Sequence, residues 1–447
     1  MSAIRNSIND LFQSEFYRNI ISLFSGMFLA RLFPALFALL IVRIYSPDNF
    51  GIFVLYLTLA SALSIVSTGK FENAIILADT RERKRHLFWL AQKINGIVNG
   101  LAAVIIVIYV FIAGIQEKST IFLLLLIPFY SFFFAAVQLV RNIFISNKSF
   151  GRLSSLEIVR SILTGILQCL FFMFPGAGLF LGAVLAQVLT YFLYSRNISE
   201  AKWTGNIRFS GEEIELGKRY INFPKFSVAS EILNFLSSQL PVFMVKPFFG
   251  ATMLGLYSFP HRYISIPVQL LSTSISRVYV QKSQSLKDNL PKLGELTFSL
   301  FKKQFFTGII PFAVLSLWGE PIFRFVFGEE WGFSGFLAQL IAPWLFVVML
   351  ISPLSSILIV MEKQKFSMLF NGWFLSFRII SLLIGGLVLK DISWAIGLYS
   401  LVGFLFFVGI GIYSLKLAGV NLAKTATFVL KFLVLILIPL ILLRIWL

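Results

Sequence analysis

Residues 20–44 read IISLFSGMFLARLFPALFALLIVRI, twenty-five positions that carry only two charges, Arg31 near the middle and Arg43 at the far end. About 20 apolar residues cross the hydrocarbon of a bilayer as one helix. The stretch therefore reads as a membrane span, and it is too long for the core of a cleavable signal. Working outward, the same pattern predicts spans near 50–68, 87–113, 120–146, 154–174 and 178–195. A second set follows near 223–247, 251–276, 298–318, 334–360, 367–389 and 393–415, and a last apolar run, 425–446, closes the chain as a span or a surface helix.

Composition agrees. Of 447 residues 58% are hydrophobic, 51 are Phe and only 13% are charged, against about 25% charged in an ordinary soluble chain. That excludes a water-soluble globule. The 38 Lys and Arg outnumber the 20 Asp and Glu, giving a net charge of +18. These bases sit in short linkers between apolar runs, so they read as topology signals to the insertion machinery and not as a nucleic-acid surface. With the N-terminus in the cytoplasm, inside segments hold Arg81, Arg83, Lys84, Arg85, Lys218, Arg219, Lys302, Lys303, Lys363 and Lys365, among others. Outside segments hold little beyond Lys118, Arg324 and Lys390. The single cysteine, Cys169, excludes an intrachain disulfide framework.

The expected architecture is all-α and integral to the membrane. Residues 1–19 place Ile4, Ile8, Leu11, Phe12 and Phe16 on one helical face, the pattern of an interfacial amphipathic helix. Residues 20–200 form a six-span N-terminal lobe, 201–222 a cytoplasmic linker, 223–415 a six-span C-terminal lobe, and 425–446 an additional helix. A weak internal echo, Arg43 to Gly51 and Lys246 to Gly255 with an aliphatic and an aromatic residue after each final glycine, suggests duplication. Six spans return the chain to the same side, so duplicated lobes would be parallel repeats about an axis along the membrane normal.

Charges at membrane depth are candidate functional groups, because each costs several kcal/mol unless it faces protein or water. Arg31, Arg262 and Arg378 lie near the middle of predicted spans. A guanidinium stays charged and binds phosphate oxygens two at a time, which suits an anionic head group. The opposing reading pairs each arginine with a structural carboxylate such as Glu157 or Glu231. Glu157 and Arg160, three apart on one helix, face each other; Lys225 and Glu231 enter the seventh span similarly. Both pairs read either as gating or coupling groups or as snorkelling helix ends. His261, beside Arg262, either carries a proton or is only packed, while His86 ends a basic linker. No metal-ligand spacing, Walker loop or nucleophile–base pair is present, so no catalytic residues, metal or cofactor are expected. Pro260 and Pro267 flank Arg262 and suggest a bent helix.

The residues Ser25-Gly26 with Arg31, the Arg43–Gly51 turn, Lys70-Phe-Glu-Asn-Ala74, Arg262 with Pro267, Phe327-Gly-Glu-Glu-Trp331 and Glu362-Lys-Gln-Lys365 occur in that order. Together they resemble the multidrug/oligosaccharidyl-lipid/polysaccharide exporter superfamily, within it the O-antigen and related polysaccharide flippases. The resemblance implies a two-lobed, V-shaped bundle in the bacterial inner membrane. It implies a polyprenyl-diphosphate-linked glycan as cargo, moved from the cytoplasmic to the periplasmic leaflet by alternating access. Membrane lipid, and polymerase and chain-length proteins of the same pathway, would be its partners. In related peptidoglycan-precursor flippases, arginines of the first and eighth helices bind the diphosphate, and Arg31 and Arg262 fall at matching places. Those relatives have fourteen helices, and this chain has room for one beyond twelve. The alternatives are a multidrug-type exporter, which would want acidic residues at mid-depth, and a polysaccharide polymerase or ligase, which would want a large outer loop.

Overall fold

In the computed structural model the described residues are 15–174, 176–196, 198–201 and 208–446, with side chains described from residue 29 onward except at 364. Most of the expected interfacial helix therefore lies outside them; residues 15–19 are the first turns of a continuous helix, α1 (Glu15–Ile44). The first half continues with α2 (Pro47–Ser67), α3 (Phe71–Leu77), α4 (Arg81–Ile112), α5 (Lys118–Ser146), α6 (Phe150–Leu170), α7 (Gly178–Ser195), α8 (Gly211–Arg219) and α9 (Val228–Ser238). The second half comprises α10 (Leu240–Ser285), α11 (Leu290–Phe327), α12 (Gly332–Ile351), α13 (Ile357–Val360), α14 (Gln364–Leu383), α15 (Ile392–Leu417) and α16 (Leu422–Trp446). Among the described residues, eleven helices are long and apolar enough to cross a membrane. α10 counts once among them although Gly250, at φ 85°, divides it into two.

Each departure from the predicted spans has a local cause. The basic stretch Arg81–Arg85 is helical because Thr80 caps it, its hydroxyl accepting from the Arg83 N–H at 3.3 Å; such a cap satisfies a backbone donor that would otherwise lack a partner. The Glu-rich part of the linker folds into α8 through a reciprocal capping box between Ser210 and Glu213. The tenth span stops at Ile351, before Pro353, and resumes only as the single turn α13. The ninth runs well past its apolar core, over 38 residues of α11.

The chain divides into two compact units, and the division falls inside the seventh predicted span. The first unit comprises residues up to Tyr45 and Ile52–Gln239; the second comprises Ser46–Gly51 and Leu240–Leu447. The first is cored by α3, α4, α5 and α6 around Leu87, Phe88, Leu139, Val140 and Leu156, all buried. In the second, α10, α11, α12 and α15 enclose Tyr279, Leu293, Phe305 and Leu350. There too the two echoed motifs meet: a Cβ on Gly51 would strike the Ala251 carbonyl, and one on Gly255 the Pro47 carbonyl. Backbones can come this close only where both helices lack side chains, so these glycines set a helix crossing. Thr252 donates to Asp48 at 3.0 Å across it, and Phe50 packs edge-on against Phe259 and Trp331. The last helix, α16, has its apolar window unburied and touches the rest through Phe428 and Phe432 on Phe305 and Phe306 of α11.

Candidate functional site

Several of the buried and half-buried charges of the first unit are held in ion pairs. Arg160 of α6 reaches Glu157 at 2.5 Å, the pair the spacing predicts, and Arg141 of α5 approaches the other oxygen of the same carboxylate at 3.5 Å. Glu157 is partly buried, and the two guanidinium groups are more exposed than it is. Arg141 is thus part of a triad of two cations on one anion, a role its place near a helix end did not announce. Nearby, Ser161 of α6 donates to the Ala30 carbonyl at 2.6 Å, fixing α6 against α1 at the residue before Arg31. Arg31 itself is partly buried, and no ion pair reaches it among the described residues.

Glu231 is also paired, but not with Lys225. Its partner is Lys70, at 2.8 Å; Lys70 also contacts Glu72 at 3.4 Å. Lys225 is exposed and makes no ion pair among the described residues. The reason is the chain reversal after α2, where Gly69 and Lys70 both take left-handed backbone conformations, φ 58° and 60°. That turn brings Lys70 inward to 8% exposure, above a buried polar layer. In this layer Thr68 donates to Glu72, Asn142 donates to the Glu72 carbonyl at 3.0 Å, and Asn99 donates to Ser67 at 3.1 Å. Buried polar groups of this kind are retained only when each finds a partner.

Outside the membrane, the linker clasps α4. Lys93 donates to both oxygens of Glu213, at 2.7 and 2.9 Å, and His86 pairs with Glu212. Glu200 is buried beneath the same face. Burial alone would raise its pKa, but hydrogen bonds from Ser199 and Asn147, with the Arg81 charge, hold it below its ordinary value.

The second unit treats its buried charge differently. Arg378 of α14 is 7% exposed, and its guanidinium carbon lies 4.0 Å from the ring centre of Tyr399 and 4.6 Å from those of Trp344 and Phe374. Cation–π contacts of this kind are worth about 0.5–2 kcal/mol each. Its Nε is buried without a hydrogen-bond partner, and no carboxylate pairs with it among the described residues. His261 is brought to the same cluster, stacked between Tyr257 at 5.5 Å and Trp344 at 6.1 Å, and it feels the Arg378 charge. Arg262, one residue on in α10, is partly buried between Pro260 and Pro267. The outer turn after α11 forms a shallow cleft where Arg324 bridges Glu320 at 3.0 Å and Glu329 at 3.1 Å.

Sequence reading singled out Arg31, Glu157, Arg160, Lys225, Glu231, His261, Arg262 and Arg378, but missed the ring cage, the Lys70–Glu231 pair and the Lys93–Glu213 contact. Phe374 and Arg378 are four apart, hence on one helix face, and that was the available signal; Trp344 and Tyr399 come from other helices.

The fold and the eleven long apolar helices among its described residues define a multi-pass α-helical membrane protein. Residues 40–334, more than half of the chain, match the polysaccharide biosynthesis protein family, and the chain belongs to that family. It is 22% identical over 321 residues to capsular polysaccharide biosynthesis protein CapF of Staphylococcus aureus, covering 69% of this chain and 78% of that one. It is 22% identical over 363 residues to teichuronic acid biosynthesis protein TuaB of Bacillus subtilis (strain 168), covering 78% and 72%. Among solved structures, the lipid II flippase MurJ in an inward closed conformation superposes with a TM-score of 0.66 at 16% identity, over 94% of this chain and 96% of that one. An inward-facing multidrug resistance transporter of the MATE family superposes with a TM-score of 0.66 at 12% identity, over 87% and 94%. These structural likenesses agree with the all-helical membrane fold expected from sequence.

Proposed function

We propose that this chain is a flippase for lipid-linked oligosaccharide units, carrying them on a polyprenyl diphosphate such as undecaprenyl diphosphate from the cytoplasmic to the periplasmic leaflet of a bacterial inner membrane. The observation that carries this reading is Arg31. It is a permanently charged group at membrane depth, with no ion pair among the described residues, in a chain whose family serves polysaccharide biosynthesis. Moving a bare sugar diphosphate through hydrocarbon is prohibitive. A guanidinium offered in a hydrated, protein-lined site replaces the water that the phosphates give up, while the polyprenyl tail stays in lipid. Arg262 is the second contact. Arg378, closed in by three rings, is withdrawn from a head group of this size. The Glu157–Arg160 and Lys70–Glu231 pairs are the candidate gating or coupling groups, and polymerase and chain-length proteins of the same pathway are the candidate partners.

A multidrug reading is less well supported, because a cationic drug needs free carboxylates at depth and Glu72 and Glu157 are already in ion pairs. In the proposed topology the N-terminus is cytoplasmic, and reporter fusions at Arg83 and Ser285 both read cytoplasm. The deciding experiment is translocation of a polyprenyl-diphosphate oligosaccharide in liposomes containing the purified chain, without nucleotide. Transport is expected to fall at least tenfold in Arg31→Ala and in Arg262→Ala at unchanged expression. Wild-type rates in both variants, or strict dependence on ATP, would sink the proposal.

A further inference from the structure

Among the described residues of the second unit, Arg378 is the one buried charged side chain. α10, α12, α14 and α15, which supply its neighbours, contain no Asp or Glu at all. The closest acidic residue in sequence, Asp391, caps α15 and is engaged by the backbone N–H groups of Ser393 and Trp394, at 2.7 and 3.1 Å. Three ring centres lie 4.0–4.6 Å from the carbon of the guanidinium. Its N–H groups point outward in the plane of the fork, and the side chain donates no hydrogen bond to any described residue; Nε is fully buried.

The other polar groups of this cluster lack acceptors as well. Trp344 Nε1 and the Tyr257 hydroxyl are buried without hydrogen-bond partners. The guanidinium carbon lies 4.6 Å from the Trp344 ring centre, and Tyr257 joins the cluster through His261, stacked 5.5 Å from Tyr257 and 6.1 Å from Trp344. Buried cations are normally paired and buried donors normally satisfied. Here a permanent cation and two further donors share one site to which the protein supplies no anion.

We infer that the second unit binds one small inorganic anion of the chloride class at Arg378, held in the plane of the guanidinium beside Tyr257 and Trp344. Charge sets the sign: one guanidinium with no carboxylate leaves room for one negative charge. Enclosure sets the size, because a group 7% exposed and surrounded by three rings has no room for anything as large as a sugar phosphate. Ring edges carry the positive part of the aromatic quadrupole and so suit an anion. The inference does not depend on the flippase reading.

The test uses the purified full-length chain in detergent, equilibrated in gluconate and titrated with radiolabelled chloride at constant ionic strength, with the thermal midpoint followed in parallel. Saturable binding of about one chloride per chain is expected, with a midpoint that rises with chloride and not with gluconate. Arg378→Gln should bind at least tenfold more weakly and lose the chloride-dependent rise. Tyr257→Phe, which keeps the ring stack, should weaken binding several-fold and decides the matter if Arg378→Gln does not fold. No saturable binding by the wild-type chain overturns the inference, as does wild-type affinity in a folded Arg378→Gln or in Tyr257→Phe. Equal competition by a bulky anion such as pyrophosphate overturns the small-anion assignment.

Discussion

The two units keep charge inside the membrane by opposite means. In the first, Lys70 is set against Glu72 and Glu231, and Glu157 against Arg141 and Arg160, so that every one of these charges faces its opposite. In the second, Arg378 lies among Trp344, Phe374 and Tyr399 with no carboxylate on the helices around it. A paired charge makes its partner dependent on it. Removing one leaves the other buried and uncompensated, a loss of about 3–5 kcal/mol for a well-buried pair. A charge held by rings makes no other charge dependent on it, and its removal strands no ion.

This contrast can be broken by substitution. The largest loss is expected for Lys70→Ala, which strands Glu72 in the buried layer; thermal unfolding in detergent should show destabilisation of about 3 kcal/mol, and wild-type stability would contradict the pairing. Glu157→Gln leaves two arginines facing each other on a partly exposed surface, and a loss of about 2 kcal/mol is expected, rescued in part by Arg141→Gln in the same chain. Arg378→Met, of similar length and uncharged, should change stability by less than about 1 kcal/mol in chloride-free buffer. A loss as large as that of Lys70→Ala would mean that Arg378 has a hidden carboxylate partner. Glu231→Gln should cost under about 1 kcal/mol, because that carboxylate is half-exposed and water screens it.

The smallest effect belongs to the buried Glu200 at the start of the linker. The folded chain holds the Glu200 pKa below its ordinary value of 4.5. Its contribution is therefore complete above the ordinary glutamate range and is lost as pH falls through the lower folded value. A shallow decline in thermal midpoint below about pH 4.5 should be present in the wild-type chain and reduced in Glu200→Gln.

Most of the fold was legible because lipid imposes a coarse and strong rule: a helix must be apolar for about 20 residues or it does not span. Every predicted span corresponds to a helix or part of one, from α1 to α16. What escaped was local and polar. α3 hides in a loop that reads as a linker, and α8 depends on one capping box. The tenth span ends at Ile351 although its apolar run continues. At the candidate site, Glu157 and Arg160 were legible because helical spacing places residues three apart on one face. Lys70 and Glu231 were not, since 161 positions separate them and a left-handed turn at Gly69 and Lys70 brings the lysine inward.

The sequence by itself determined that the chain lives in a membrane, roughly where it crosses, and which charges are anomalous there, because hydropathy and charge are properties of single residues read along one helix. Only the tertiary structure decided which of those anomalies are neutralised. Pairing is a matter of a few ångströms between helices distant in sequence, and nothing in the run around Arg378 announces that rings, and not a carboxylate, would close over it.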